Sequence, residues 1–207
     1  HVIGDDAAGN RLHEILATYP NISTRYLERR AGLRSMYCRI LVNPQGERTI
    51  IGVNVDENPQ TQPTAEMIAD ARVLTLDLYG GEERVRAARL AAEVGRPVVV
   101  GDLHAADHPI LPYTTVAIAS RAEVRKAYPG WPVEQFASAV QAAGARHVIL
   151  TDGPREVLLF EAGGGCTGVT PPSVQGADTT GAGDAFRALT PDVLKSVCRC
   201  EYAERAS

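Results

Sequence analysis

The strongest chemical signal lies in a glycine-rich string, Ala177-Asp178-Thr179-Thr180-Gly181-Ala182-Gly183-Asp184-Ala185-Phe186. Gly181 and Gly183 let the backbone approach an anion closely and reach positive φ. If this turn opens a helix, the N–H groups of Gly181, Ala182, Gly183 and Asp184 point at one spot, reinforced by the positive end of the helix dipole. Asp184, in the first turn, stands where it can accept the proton of an attacking hydroxyl. Those roles suit phosphoryl transfer, which chiefly requires positioning and charge stabilisation. A bare G-x-G is equally often an ordinary tight turn before a helix, so the weight rests on the longer string. The chain has no G-x-x-x-x-G-K-[ST] loop and no H-R-D or D-F-G set, which sets aside two other phosphotransfer designs.

Elements that would position this string are legible upstream. After Val2-Ile3, apolar residues at Ala8, Leu12, Ile15, Leu16 and Tyr19 have helical spacing, ended by Pro20. Strands are predicted over 35–42 and 48–55, joined by the turn Asn43-Pro44-Gln45-Gly46, and such a hairpin often forms a lid. From Thr64 onward the units alternate: helix 64–71, strand 73–78, helix 82–94, strand 97–100, strand 115–119, helices 122–128 and 133–143, strand 147–151. Val157–Phe160 reads as a strand paired with its predecessor through Asp152-Gly153-Pro154-Arg155, and Gly163-Gly164-Gly165 as a loop. Short apolar strands alternating with longer helices predict an α/β fold with a mostly parallel sheet covered on both faces. Ligands bind beyond the carboxyl ends of such strands, where Asp77, Asp102, Ser120 and Asp152 fall.

Among these strand-end groups, Asp77 and Asp102 are candidates for contacting substrate hydroxyls, with a solvated strand-end carboxylate the equal alternative. His104 and His108 have the i, i+4 spacing of a zinc pair, but the following Pro109 and the loop setting favour surface histidines. Cys38, Cys166, Cys198 and Cys200 make no C-x-x-C pair and no zinc spacing, so free thiols in a reducing cytoplasm are expected.

The bulk properties agree with an ordinary α/β protein: 207 residues, 44% hydrophobic, 22% charged and a net charge of −4. A mildly acidic chain argues against a nucleic-acid binder, whose footprint is a basic face. No apolar run approaches the ~20 residues a membrane span needs, and no signal peptide is visible. The chain begins at His1, directly in the strand-like Val2-Ile3, and is expected to start partway through a domain.

The string from Asp178 to Phe186 resembles the D-T-x-G-A-G-D-x-F signature of the ribokinase-like (PfkB) sugar kinases, with every specified position present. The resemblance extends upstream. Ile3-Gly4-Asp5-Asp6-Ala7-Ala8-Gly9 is similar to the family's V-G-x-D-x-x-G segment, Gly46-Glu47-Arg48-Thr49 to its lid G-E-R-T, and Thr151-Asp152-Gly153 to the T-x-G along the nucleotide phosphates. It implies a three-layer α/β/α doubly wound fold with a small β-hairpin lid at about 34–55. It further implies transfer of the γ-phosphoryl group of ATP to a sugar hydroxyl, with Asp184 as base and Gly181, Ala182 and Gly183 as the anion hole. Thr151 and Gly153 would lie on the nucleotide, while Asp178 and Thr180 match positions that help bind a monovalent cation such as K+. Mg2+ would be held by phosphates and water near Glu123, which matches the family's N-x-x-E with Ser120 in place of Asn. The same Ser-x-x-Glu also reads as a helix capping box. A nucleoside kinase of the adenosine type, or an inactive remnant that only binds ligand, are the alternatives. Pairing of two copies through the lid is a further implication.

Two departures from the family's pattern stand out. The G-G-x-x-x-N sugar-binding motif and its partner aspartate do not occur in this chain. In addition, Phe186-Arg187-Ala188 is followed by Leu189-Thr190-Pro191, and proline is poorly tolerated within a helix. The kinase domain is therefore expected over 1–188, and residues 189–207 as an atypical tail with the look of a frameshift.

Overall fold

The computed structural model describes residues 2–43, 48–55, 60–173 and 180–197. The chain divides into two compact units, residues 1–62 and 63–207.

The first unit opens with β1 (Val2–Gly4) and α1 (Ala7–Ala17). Asp6 caps α1 by accepting from the Gly9 N–H at 2.9 Å, and it also accepts from the Ser35 N–H at 2.9 Å and hydroxyl at 2.7 Å. Those bonds favour the carboxylate and hold Asp6 below the ordinary range, the Ser35 hydroxyl contributing most. Gly9 is required here, because a β-carbon would lie 2.2 Å from the Gly4 carbonyl oxygen. The V-G-x-D-x-x-G pattern is thus a strand-to-helix clamp. Strand β2 (Glu28–Arg30) pairs in parallel with β1. It is absent from the sequence reading because Glu-Arg-Arg, exposed throughout, carries no apolar alternation. The expected hairpin forms from β3 (Tyr37–Val42) and β4 (Arg48–Val53), antiparallel with Ile40 opposite Ile50. Its Gly46 and Glu47 lie outside the described residues.

The second unit is a six-stranded sheet in the order β10-β9-β8-β7-β6-β5. Strands β5 (Leu74–Leu76), β6 (Val98–Val100), β7 (Val116–Ser120) and β8 (His147–Thr151) are parallel. Helix α2 (Ala65–Ala69) precedes β5, α3 (Glu82–Glu93) lies between β5 and β6, and α4 (Arg121–Ala127) and α5 (Val133–Ala142) lie between β7 and β8. Alternate side chains go to opposite faces, as the strand period of two requires. Val98, Val100, Ala117, Ala119, Val148 and Leu150 meet Ile68 of α2, Ala88 and Ala91 of α3, Val124 of α4 and Phe136 and Val140 of α5. Val99, Val116, Ile118 and Ile149 point the other way, and Phe186 packs on them. Phe186 belongs to α6 (Ala182–Val197). Full burial of a side chain such as Phe136 contributes roughly 1.5–3 kcal/mol.

Two local readings are corrected. The glycines after Phe160 are the turn of a hairpin: Gly163 and Gly164 have φ of 99° and 100°, and β9 (Val157–Phe160) pairs antiparallel with β10 (Cys166–Val169). β10 is exposed and lacks the apolar run that marks a buried strand. The second concerns α6, which runs through Pro191 to Val197. Proline removes the N–H that would meet the Arg187 carbonyl and costs about 3 kcal/mol in a helix interior. The helix is anchored in the turn before that proline: Phe186 packs on the sheet, and the Thr190 hydroxyl donates to the Phe186 carbonyl at 2.8 Å.

Candidate active site

Chain entry into α6 sets the geometry of the site. Gly181 has φ +80°, a left-handed conformation that a β-carbon resists. Its carbonyl accepts from the Ala185 N–H at 2.9 Å, which closes the first turn. Ala182, Gly183 and Asp184 therefore supply first-turn N–H groups that have no partner within the helix. No atom lies within 4 Å of where a β-carbon would sit on Gly181 or Gly183, so the space above both glycines is open. An anion can approach this backbone directly.

Asp184 projects from that turn with its side chain 73% exposed. Arg187, one turn further on, donates from Nη2 to Asp184 Oδ1 at 3.1 Å, while its Nη1 lies 3.5 Å from Asp102 Oδ2. Asp102 follows β6 and is a non-glycine residue at φ +58°, a conformation uncommon outside glycine and Asn/Asp. Burial pushes its carboxyl above the ordinary range against the opposing pull of Arg187, with Asp184 and Asp77 adding to the upward push.

Asp77, just past β5, accepts from the Tyr79 N–H at 3.0 Å and is paired with Arg84 at 3.3 Å. Glu123 sits in the first turn of α4, 3.7 Å from Lys126. Ser120 does cap that helix, accepting from the Ala122 N–H at 3.2 Å. The Tyr79 side chain is largely exposed, and its phenol is raised first by partial desolvation and then by Asp102, Asp77, Glu123 and Asp184. One phenol thus lies within electrostatic reach of carboxylates from the ends of β5 and β6, from α4 and from α6.

At the end of β8 the Thr151 hydroxyl donates to the Ala119 carbonyl at 3.4 Å, and Gly153 takes φ +60°. Between them Asp152 is buried against three guanidinium groups: Arg155 at 2.8 Å, Arg125 at 3.3 Å and Arg121 at 3.6 Å. The hydrogen bond from Arg155 is the main cause holding its carboxyl down at about 2. Thr180 is exposed beside Gly181, and Asp178 lies outside the described residues. His104 turns its Nδ1 toward the Asp102 carbonyl at 3.1 Å, and His108 Nδ1 accepts from the Ile110 N–H at 3.2 Å. Cys38 and Cys166 are free thiols. No helix among the described residues is long and apolar enough to cross a membrane.

Sequence reasoning passed over Arg187, Tyr79 and Arg84. For Arg187 a signal existed: it stands three residues after Asp184, the spacing at which helical side chains meet. Nothing in the sequence announces Tyr79.

A mostly parallel sheet flanked by helices, with a glycine-entered helix packed on it through Phe186, defines an α/β protein of the doubly wound class. The model of the pfkB family of carbohydrate kinases matches residues 1–190, and the chain belongs to that family. Its fold is ribokinase-like. It is similar to the ribokinase of Arabidopsis thaliana complexed with ribose and ATP, at 22% identity and a TM-score of 0.75, covering 90% of this chain and 65% of that one. It is also similar to ribokinase from Thermotoga maritima, at 21% identity and a TM-score of 0.74, covering 94% and 66%. Anopheles gambiae adenosine kinase, in complex with a di(adenosine-5) tetraphosphate, matches at 22% identity and a TM-score of 0.75, again covering 94% and 66%. The chain thus spans 65% to 66% of the length of these structures.

Proposed function

We propose that the protein transfers the γ-phosphoryl group of ATP to a hydroxyl group of a sugar. The observation that carries this reading is the first turn of α6, where Asp184 stands beside an open, glycine-lined row of N–H groups. Asp184 takes the proton of the acceptor hydroxyl as its oxygen bonds to the γ-phosphorus. The bond from that phosphorus to the bridging oxygen of ADP breaks, and ADP leaves with the electron pair. The N–H groups of Ala182 and Gly183 stabilise charge on the transferring group. Thr151 and Gly153 lie along the nucleotide, and Asp77 and Asp102 lie on the acceptor side.

The donor set also bears on magnesium. Among the described residues no three His, Cys, Asp or Glu side chains gather to hold a metal directly. Mg2+ usually keeps several waters and binds through substrate phosphates and one or two carboxylates. Glu123, exposed and carrying one ion pair to Lys126, fits a role in ordering that water shell. When bound, the metal would neutralise phosphate charge. Thr180, and Asp178 outside the described residues, are assigned to a monovalent cation such as K+.

A second reading, a nucleoside acceptor, is favoured by the adenosine kinase likeness, which equals the ribokinase one in TM-score. Pairing of two copies through the β3–β4 hairpin is supported by its exposed Ile40, Leu41, Ile50 and Ile51, and light scattering would report it. ADP release by the full-length protein, assayed against sugars and against adenosine and inosine, tests the function. Turnover on a sugar is expected, with a loss of at least about 100-fold in Asp184→Asn. Undiminished turnover in that variant removes Asp184 from the role.

A further inference from the structure

We propose that Arg187 is a positioning residue for the base, holding the Asp184 carboxylate in place by bridging it to Asp102. This rests on the kinase reading above and deepens it. One guanidinium spans both carboxylates, at 3.1 Å to Asp184 and 3.5 Å to Asp102. The two acids come from elements far apart in sequence, the first turn of α6 and the end of β6, so the bridge fixes the helix terminus against the strand end.

The stem of Arg187 is seated as deliberately as its head. Its Cδ crosses Gly101, where a β-carbon would stand 2.7 Å away, and the side chain is only 20% exposed. Asp102 holds its left-handed φ in the next residue. Asp184, by contrast, is largely exposed, and an exposed carboxylate on a two-bond stem has no fixed direction of its own. The guanidinium supplies one.

Charge gives a second reason for a cation here. The groups facing this point are Asp77 and Tyr79 from the β5 end, Arg84 of α3, Asp102 and His104 after β6, Glu123 of α4 and Asp184 of α6. Without Arg187, Asp102 and Asp184 would both bear on an incoming anionic phosphoryl group with nothing between them to offset their charge. Half-exposed ion pairs add little to stability, so Arg187→Met is expected to move the unfolding midpoint by no more than about 4 °C.

The test uses the full-length protein with its best acceptor. Arg187→Met is expected to lower kcat about 10- to 100-fold with KM for ATP within about threefold, as loss of alignment does. Arg187→Lys should recover part of kcat. Gly101→Ala, which leaves the arginine in place but crowds its stem, should lower kcat in the same direction. An unchanged kcat in Arg187→Met, or equal loss in the Met and Lys variants, overturns the positioning role and leaves the kinase reading intact. Absence of ATP-dependent turnover in the unsubstituted protein overturns the kinase reading and this one with it. If Arg187→Met does not fold, the Lys and Gly101→Ala variants decide, since unchanged kcat in both contradicts the proposal.

Discussion

The Cδ of Arg187 crosses Gly101 at the point where a β-carbon would lie 2.7 Å away. A strand-end glycine and a helical arginine, 86 positions apart in the chain, therefore meet in close contact. Gly101 has no left-handed φ to explain its glycine, and its N–H is engaged with the Leu76 carbonyl at 2.8 Å. Contact with the Arg187 side chain is what a β-carbon at Gly101 would disturb.

Gly101→Ala follows from that contact. The backbone accepts alanine, so the cost falls on the arginine stem, which must move by several tenths of an ångström. A destabilisation of about 1–2 kcal/mol is expected from overpacking, read as a lower midpoint in urea unfolding. A midpoint equal to that of the unsubstituted protein would show the stem free to relocate.

Asp152 makes stability sensitive to acid. Its carboxyl is depressed from 3.8 to about 2, so its contribution is fully present above pH 3.8 and lost as pH falls toward 2. The shift corresponds to about 2 kcal/mol, discounted to about 1–2 kcal/mol because Arg125 and Arg155 are more than half exposed. Asp152→Asn should lose that amount at pH 6, and the difference from the unsubstituted protein should shrink toward pH 2. Urea titrations at both pH values measure it. A difference that is constant with pH would rule out the ion-pair account.

Glu123 separates capping from metal binding. Ser120 already caps α4 through the Ala122 N–H, so Glu123→Gln should leave the unfolding midpoint nearly unchanged. If Glu123 orders water on magnesium, the concentration of Mg2+ required for half-maximal turnover rises about tenfold or more. An unaltered requirement would return Glu123 to the helix surface.

Gly9→Ala probes the clamp of the first unit. The added carbon would meet the Gly4 carbonyl oxygen at 2.2 Å and the Ser35 hydroxyl at 2.7 Å, the latter held by bonds from the Gly4 N–H and to Asp6. A loss of about 3 kcal/mol is expected. Hydrogen exchange over β1 and α1 should quicken markedly, and unchanged protection there would refute the clamp.

Much of the fold was legible because the second unit is built from repeating periods. β8 and β9 form over the residues their apolar runs mark, and α3 and α5 end within a residue of the periodic prediction. Elements that escaped notice, β2 and β10, are exposed throughout and have no burial pattern to advertise them. Pro191 misled in the opposite sense: local propensity disfavours helix there, whereas the anchoring of Phe186 on Val99, Val116, Ile118 and Ile149 is non-local.

That Gly181, Gly183 and Asp184 stand at the entry of a helix was legible in sequence alone, since a glycine turn feeding a first helical turn depends on residues adjacent in the chain. Only the tertiary structure decided what surrounds that aspartate. Arg187 reaches Asp102, and Tyr79 comes within reach of four carboxylates, because parallel strands deliver their carboxyl ends to one edge of the sheet. Such meetings depend on strand order and crossover, which no short stretch of residues contains.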